Sequence, residues 1–306
     1  IVIIRFTTSG NSYTKSGGVV STVGSDTLVT YLVGNAAASD ASKTVITDLP
    51  AGTRFEETDT RKIFRMKAGV AVGLGSAANG TNSGATRVSD SAGSNLGTYS
   101  WEFDGNNDSV TTGLTQNLGQ QFSFSMWVKF DLIEAWHSFV GKGSSDGDEE
   151  FIAYLSSNGN NNAIGGECFN NRSFNSGITP STNEWYHIVY TMDGNAGSYK
   201  TYTDGVLRET TTGALTNSSG TIALKFGSDR QGAYFDGHLS QLLLYNDVLT
   251  QAEVTALYNS NNGVATPSGH GLLAWYDFQD EDDAALTNKQ STTAVPDSYW
   301  VEKGTA

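Results

Sequence analysis

The fold is decided between Glu184 and Asn259, a stretch that opens EWYHIVYTMDG (184–194), passes through SYKTYTDGVLRET (198–210) and closes FDGHLSQLLLYNDVLTQAEVTALYN (235–259). Trp185, His187 and Val189 alternate with Tyr186, Ile188 and Tyr190. That period of two belongs to a β-strand, and rings on both sides predict that both faces are covered. Tyr199–Thr203 and Val206–Glu209 flank Asp204-Gly205, a dipeptide that accepts the positive φ angles of a two-residue hairpin turn. A short helix is predicted at the end of the stretch. Thr250 and Glu253 have the spacing of a capping box, Leu249 and Val254 that of a hydrophobic staple, and Asn259–Gly263 stops the apolar stripe of Val254, Leu257 and Tyr258.

Working outward, Phe122, Phe124, Met126, Val128 and Phe130 fall on one face of a predicted central strand, with Ser123, Ser125, Trp127 and Lys129 on the other. Trp136–Val140 and Phe151–Leu155 read as neighbours joined by the acidic loop GKGSSDGDEE, with further strands at Thr221–Phe226 and Leu239–Tyr245. Leu272–Phe278 reads as a strand closing the sheet from the other end, and Asp280–Asp283 as a solvated acidic turn. Toward the N-terminus, Ile1–Phe6, Gly18–Val23, Thr27–Val33 and Lys43–Thr47 read as short strands, followed by a polar hairpin over Thr53–Met66. The segment from Lys67 to Gly97 is rich in Gly, Ala, Ser, Asn and Thr and offers little apolar surface to bury. The organisation expected is a small β module over 1–70, a linker over 71–97 with an edge strand at Thr86–Val88, and one large β domain over 98–306.

Composition narrows the functional classes. With 35 Gly, 4 Pro and 11% aromatic residues, many strands joined by tight turns are expected. A formal charge of −14 disfavours nucleic acid and anionic membrane surfaces as partners, because like charges repel. Cys168 is the single cysteine, so an internal disulfide is excluded and packing alone must hold the fold. No run approaches the ~20 apolar residues of a membrane-spanning helix.

The order of elements carries a resemblance. WEFDGNNDSV (101–110), FSFSMWVKF (122–130), SFVGKG (138–143), WYHIVYTMDG, YTDGVL and FDGHLSQLLLYNDVLTQAEVTALY resemble, in this order, the laminin-G-like and pentraxin-like branch of the concanavalin A-like jelly rolls. The resemblance runs from Trp101 to Tyr258. It implies an all-β fold, a two-sheet antiparallel jelly-roll sandwich with one short helix, here preceded by the small N-terminal β module. It does not select a function, because that architecture hosts lectins, glycosidases, adhesive modules and virion proteins alike. A shorter run, LPAGTRFEETDTRKIFRM (49–66), resembles segments of structural proteins of tailed phages, especially marine ones.

Candidate chemistry follows from these pieces. In pentraxins, calcium is held by a loop at the place of the acidic loop and by a second loop before the FDG strand. The resemblance thus implies Ca²⁺ ligands at Asp146, Asp148, Glu149 and Asp229, although Arg230 stands where a further ligand belongs. An ordinary solvated loop is the competing reading. Asp104, Asn107 and Asp108 form a weaker candidate that reads equally as a hydrogen-bonded Asx turn. Asp146, Asp148 and Glu150 alternate as paired glycosidase carboxylates do, but a Gly/Ser-rich exposed loop supplies neither the rigidity nor the desolvation that raises an acid's pKa. His137, His187, His238 and His270 show no i, i+4 pair, which argues against zinc, and His187 reads as a hydrogen-bonded core residue. For glycans, loop residues Asn170, Asn171, Arg172, Phe174, Arg230 and Tyr234 combine rings with polar groups, and the same residues read as ordinary loop surface or the rim of the core.

The function expected is that of a non-enzymatic structural or adhesive protein at a virion surface or otherwise outside the cell, such as a phage decoration, fibre or tail-associated protein. Its partners would be sister chains in a homo-oligomer, other virion or surface proteins, and host-surface glycans. The competing class is a secreted or cell-surface bacterial calcium-dependent lectin.

Overall fold

The computed structural model describes residues 2–7, 19–23, 26–31, 54–56, 62–68, 78–143, 150–156, 162–168, 172–213, 222–228, 234–267, 271–281, 284–290 and 298–305. The chain divides into two units, Ile1–Val72 with Thr293–Ala306, and Gly73–Thr292. Among the described residues, no helix is long and apolar enough to cross a membrane.

The first unit is a six-stranded sheet. Its order is β2 (Val19–Val23), β3 (Asp26–Tyr31), β1 (Val2–Thr7), β4 (Arg54–Glu56), β5 (Lys62–Ala68) and β22 (Ser298–Thr305). Every pairing is antiparallel. The hairpin expected over Thr53–Met66 is present, with Phe55 opposite Phe64. The strand expected at Lys43–Thr47 lies outside the described residues.

The second unit is a sandwich of two eight-stranded antiparallel sheets. The front sheet runs β17 (Val206–Thr212), β16 (Ser198–Thr203), β15 (Trp185–Asp193), β10 (Gln121–Phe130), β19 (Asp236–Tyr245), β8 (Ser100–Asp104) and β7 (Thr86–Val88), and β20 (Leu272–Tyr276) shares the outer edge of β19 with β8. The back sheet runs β14 (Arg172–Asn175), β13 (Ala163–Cys168), β12 (Phe151–Ser156), β11 (Ser138–Lys142), β18 (Lys225–Phe226), β9 (Ser109–Thr112), β6 (Gly80–Ser83) and β21 (Ala285–Leu286).

Alternation along β10 sends its large residues between the sheets. Phe124 packs on Phe151 at 5.1 Å between ring centroids, and Phe130 meets Phe139 and Phe235 edge-on. Full burial of each such side chain stabilises by ~1.5 to 3 kcal/mol, so this strand dominates the energetics. In β19 the alternation breaks. Gln241 stands opposite no residue of β10, between the Met126–Leu242 and Trp127–Ser240 pairs, and this bulge lets both Leu239 and Leu242 be fully buried.

The other side of the front sheet is also covered. The helix α1 (Gln251–Tyr258) closes a cluster of Val189, Tyr202, Leu243, Tyr245, Leu249, Val254, Leu257 and Leu272. Its N-terminus carries the expected capping box: Thr250 Oγ1 accepts from the Glu253 amide, and Glu253 accepts from the Thr250 amide. The hairpin turn takes the expected left-handed angles, φ +53° at Asp204 and +74° at Gly205. Gln251 donates to the Gly205 carbonyl, which docks the helix on that turn.

The Gly/Ala/Ser-rich stretch expected as a linker over 71–97 supplies strands to both sheets: β6 in the back and β7 as the edge of the front. Short side chains are what fit there, since a Cβ on Gly80 would meet Val110 at 2.5 Å, and Ala85, Ala92 and Leu96 are buried. Leu272–Tyr276 closes the front sheet from the C-terminal side, as expected. Ser298–Thr305 pairs instead with β5 of the first unit. Asp280 is not solvated. It takes Lys289 Nζ at 2.6 Å and the Thr287 amide, because the turn folds back on the residues that follow β21.

Two buried polar features stand out, an imidazole beneath α1 on the outer side of the front sheet and an ion pair at the start of the β11–β12 hairpin. His187 accepts or donates one bond, to Ser125 Oγ at 2.9 Å, and lies within stacking distance of both Trp127 and Tyr258. Burial pushes its imidazole down to about 3 from 6.5. Between those values the unfolded chain binds a proton that the folded chain refuses, so stability present above about 6.5 is lost as the pH falls. The loss approaches ~1.4 kcal/mol per pH unit. The urea midpoint is therefore expected to drop between about pH 6.5 and about pH 5, before most carboxylates titrate, and His187→Gln should flatten that part of the profile. An unchanged slope in the variant would assign the pH dependence elsewhere.

The second is an ion pair, Lys142 Nζ to Glu150 Oε2 at 2.7 Å, with both side chains 1% exposed. Lys142 also donates to the Ile222 carbonyl, and Glu150 Oε1 accepts from the Leu118 amide. Glu150 is thus a dry anchor at the end of the acidic loop rather than part of its exposed surface, because the Glu150 amide pairs with the Lys142 carbonyl as the β11–β12 hairpin begins. Glu150→Gln should cost ~3 to 5 kcal/mol by leaving Lys142 buried and uncompensated, and Lys142→Met with Glu150→Leu should recover most of it in chemical denaturation.

Candidate functional site

The back sheet's outer face is set by register. Phe151, Ala153 and Leu155 point into the sandwich, which turns Ile152, Tyr154 and Ser156 the other way. Tyr154 stands opposite Ser138 on one side and Gly165 on the other, and Gly165 opposite Asn175. In the adjoining row Ile152, Glu167 and Ser173 line up. The result is a polar strip beside a ring.

Trp136 caps that strip. It belongs to the turn from Asp131 to His137 that carries the chain from the front sheet to the back, and its ring lies over Tyr154 at 5.2 Å between centroids and 37° between planes. Half of Trp136 is exposed (51%), and Leu132 of the same turn is exposed as well. Trp136 is held in the left-handed region at φ +70°, with its amide donating to the Leu155 carbonyl at 2.7 Å. A non-glycine residue there carries a conformational cost that the surrounding contacts must offset. The turn is further tied by Asn162 Nδ2 donating to the Ile133 carbonyl.

Electrostatics complete the site. The Tyr154 hydroxyl is raised well above its usual range, first by burial and then by the nearby Glu167 carboxylate, to which it is hydrogen-bonded. Tyr154 therefore stays a neutral donor. Ser173 Oγ donates to Glu167 Oε1 at 3.3 Å, and Glu167 remains partly exposed. Asn175 offers a buried Nδ2 without a partner, while its Oδ1 accepts from the Gly177 amide. A flat half-exposed indole with a partly exposed carboxylate on the same face can stack on an apolar face of a solute and hydrogen-bond its hydroxyls. Sequence spacing gave no sign of this group, since Trp136 reads there as the start of a strand and its partners lie on two other strands. A large ring within the polar connection DLIEAWH was the available signal.

The residues singled out by sequence are placed differently. Asp146, Asp148, Glu149, Asn170, Asn171, Asp229 and Arg230 lie outside the described residues. Arg172 opens β14 opposite Cys168, and Tyr234 is half-buried in an isolated bridge with Ser228. Phe174 belongs to the core, the alternative to a glycan contact: its ring packs on Tyr190 at 4.7 Å and stacks with Phe151, because strand alternation turns it inward over Gly166. Asp104–Asp108 forms the Asx turn, with Asp104 Oδ1 accepting from the Asn106 amide and Asp108 Oδ2 from the Asp104 amide.

Residues 104–255, just under half of the chain, match the Laminin_G_3 family model, described as the Concanavalin A-like lectin/glucanases superfamily. Among curated proteins the chain is 32% identical over 111 residues to the Sushi, von Willebrand factor type A, EGF and pentraxin domain-containing protein 1 of Rattus norvegicus. That match covers 32% of this chain and 3% of the relative's length. Among solved structures it is similar to domain 4 of AbnA, a GH43 extracellular arabinanase from Geobacillus stearothermophilus in complex with arabinotriose, with 16% identity, 63% of this chain and 86% of that one covered, and a TM-score of 0.46. It is also similar to the heptameric SAP-like pentraxin of Limulus polyphemus, with 18% identity, 57% and 85% coverage, and a TM-score of 0.42. The matched stretch runs from the FDG turn after β8 into α1, and the two antiparallel sheets around one core give the Gly73–Thr292 unit an all-β sandwich fold consistent with a concanavalin A-like jelly roll.

Proposed function

We propose that the chain is a non-enzymatic adhesive structural protein at a virion surface, of the decoration, fibre or tail-associated kind, whose jelly roll takes host-surface glycans at the Trp136–Tyr154 face. The observation that carries the glycan part is the half-exposed Trp136 ring seated on Tyr154 beside Glu167 and Ser173. Sugar rings present C–H faces to an indole and hydroxyls to a carboxylate, so both halves of the site have a use. The lectin-containing superfamily of the matching model supports the same reading. The virion part is supported by the phage-like run LPAGTRFEETDTRKIFRM and by the separate sheet unit, which offers an attachment element distinct from the jelly roll. Self-association into a homo-oligomer goes with such a role.

The non-enzymatic reading is supported by what the buried titratable groups do. Glu150 is neutralised by Lys142 away from solvent, and the Ser125–His187 pair lies beneath Trp127 and Tyr258. Neither set can meet a substrate without opening the core.

Binding of the purified chain to an immobilised glycan library is the direct test. Trp136→Ala is expected to weaken the best hits at least about tenfold while leaving the melting temperature near that of the parent. Equal binding by the variant would move the site away from this face, and binding abolished by a calcium chelator would favour the secreted-lectin alternative. Assembly is checked by electron microscopy of the purified chain, where multimers or decorated particles are expected.

A further inference from the structure

The front sheet carries a row of side chains that strand register alone creates. Trp185 stands opposite Lys129, Lys129 opposite His238, and His238 opposite Glu102, all on the face away from the core. One row further along the same face, Asp236 stands directly opposite Asp104. Like charges facing each other across an antiparallel pair are destabilising, and no basic residue lies between them in either strand. The Lys129 ammonium of the neighbouring row is bound to Asp90, which also accepts from Trp185 Nε1.

Within this acidic surround, ligand atoms of Glu102, Asp131 and His238 lie within 4.8 Å of one another. The His238 side chain is 9% exposed, with Nε2 on Asp131 Oδ2 at 2.9 Å. Its Nδ1 has no hydrogen-bond partner, and the nearest carboxylate oxygen, Asp90 Oδ2, is 3.9 Å away. Asp131 Oδ1 is buried and also has no partner. The imidazole thus presents Nε2 to the carboxylates and turns Nδ1 toward Asp90, and the buried Asp131 oxygen left unpaired is costly unless a ligand satisfies it.

We propose that Glu102, Asp131 and His238 bind one divalent first-row transition-metal ion of the zinc or manganese type. Two carboxylates and an imidazole form a mixed oxygen and nitrogen set that suits such ions, whereas calcium takes oxygen ligands only. Donor atoms sharing an ion at ~2.1 Å lie ~3.0 to 4.2 Å apart, so side-chain shifts of about half an ångström complete the site. The absence of an i, i+4 histidine pair does not exclude it, because its ligands come from β8, β19 and the residue just after β10. The ion would offset the facing Asp104 and Asp236. It would also brace Asp131, whose amide donates to the Asp236 carbonyl at the start of the turn that presents Trp136.

The test uses the full chain stripped with a chelator and desalted. Cobalt(II) titrated into it should give visible d–d bands that saturate at one equivalent, and calorimetry should give tighter binding for Zn²⁺ or Mn²⁺ than for Ca²⁺. Glu102→Gln and Asp131→Asn should each weaken uptake at least tenfold, with thermal melting as the control for folding. His238→Gln should do the same and remove the nitrogen contribution to the cobalt spectrum. Uptake of no transition ion, uptake unchanged in Glu102→Gln and Asp131→Asn, or a preference for Ca²⁺ would each overturn the proposal.

Discussion

The structure depends on the burial of β10 on both of its faces. Its Phe122, Phe124, Met126, Val128 and Phe130 side is sealed by the back sheet, and its Ser123, Ser125 and Trp127 side by α1 and the Ala92–Leu96 segment. A strand at the centre of a sheet and dry on both sides cannot slip by one residue without exchanging phenylalanines for serines. That fixes the register of β15 and β19, and through them the positions of β8 and β16. The serines are tolerated there because each finds a partner: Ser123 Oγ donates to the Asp247 carbonyl and accepts from the Leu249 amide, while Ser125 meets His187.

Register then explains why surface chemistry lies where it does. The helix and the Ala92–Leu96 segment cover one part of the front sheet's outer face, and beyond Trp127 the same face continues as Lys129, His238 and Glu102. On the back sheet, alternation that buries Phe151 and Phe174 delivers Tyr154, Glu167 and Ser173 to the outside. The two polar strips are thus by-products of core packing, each a set of residues left over from the inward half of its strands. They are joined by the turn from Asp131 to His137, which contributes a carboxylate to one and a ring to the other.

Much of the sandwich was legible in the sequence because its signals are local. Alternation in β10 and β15, the Asp204-Gly205 turn and the Thr250 capping box each rest on residues within a few positions of one another. What could not be read depends on long-range pairing. The Gln241 bulge hides in LSQLLLY, where three consecutive leucines mask the change of face. The strand Gly80–Ser83 carries almost no apolar pattern, because it is held by a backbone ladder to β9, whereas Thr86–Val88 is the edge strand expected there. Trp136 with Tyr154, and His238 with Glu102 and Asp131, are contacts between elements far apart in sequence. Phe174 shows the opposite limit, since among the polar neighbours Asn170, Asn171 and Ser173 a single ring reads equally as a glycan contact and as the rim of the core.

The pairing of β22 with β5 has a consequence for biogenesis. The residues between them include the whole contiguous jelly roll, so the small sheet cannot acquire this strand until that unit has been synthesised. A ribosome adds ~5 to 20 residues per second, which leaves the edge of β5 without its partner for ~10 to 50 seconds while the later unit emerges. During that interval an unpaired edge is a template for another chain's strand. Sister chains emerging together on one messenger would meet at this seam first, so quaternary structure, if it forms by strand exchange, would be decided before the polypeptide is released.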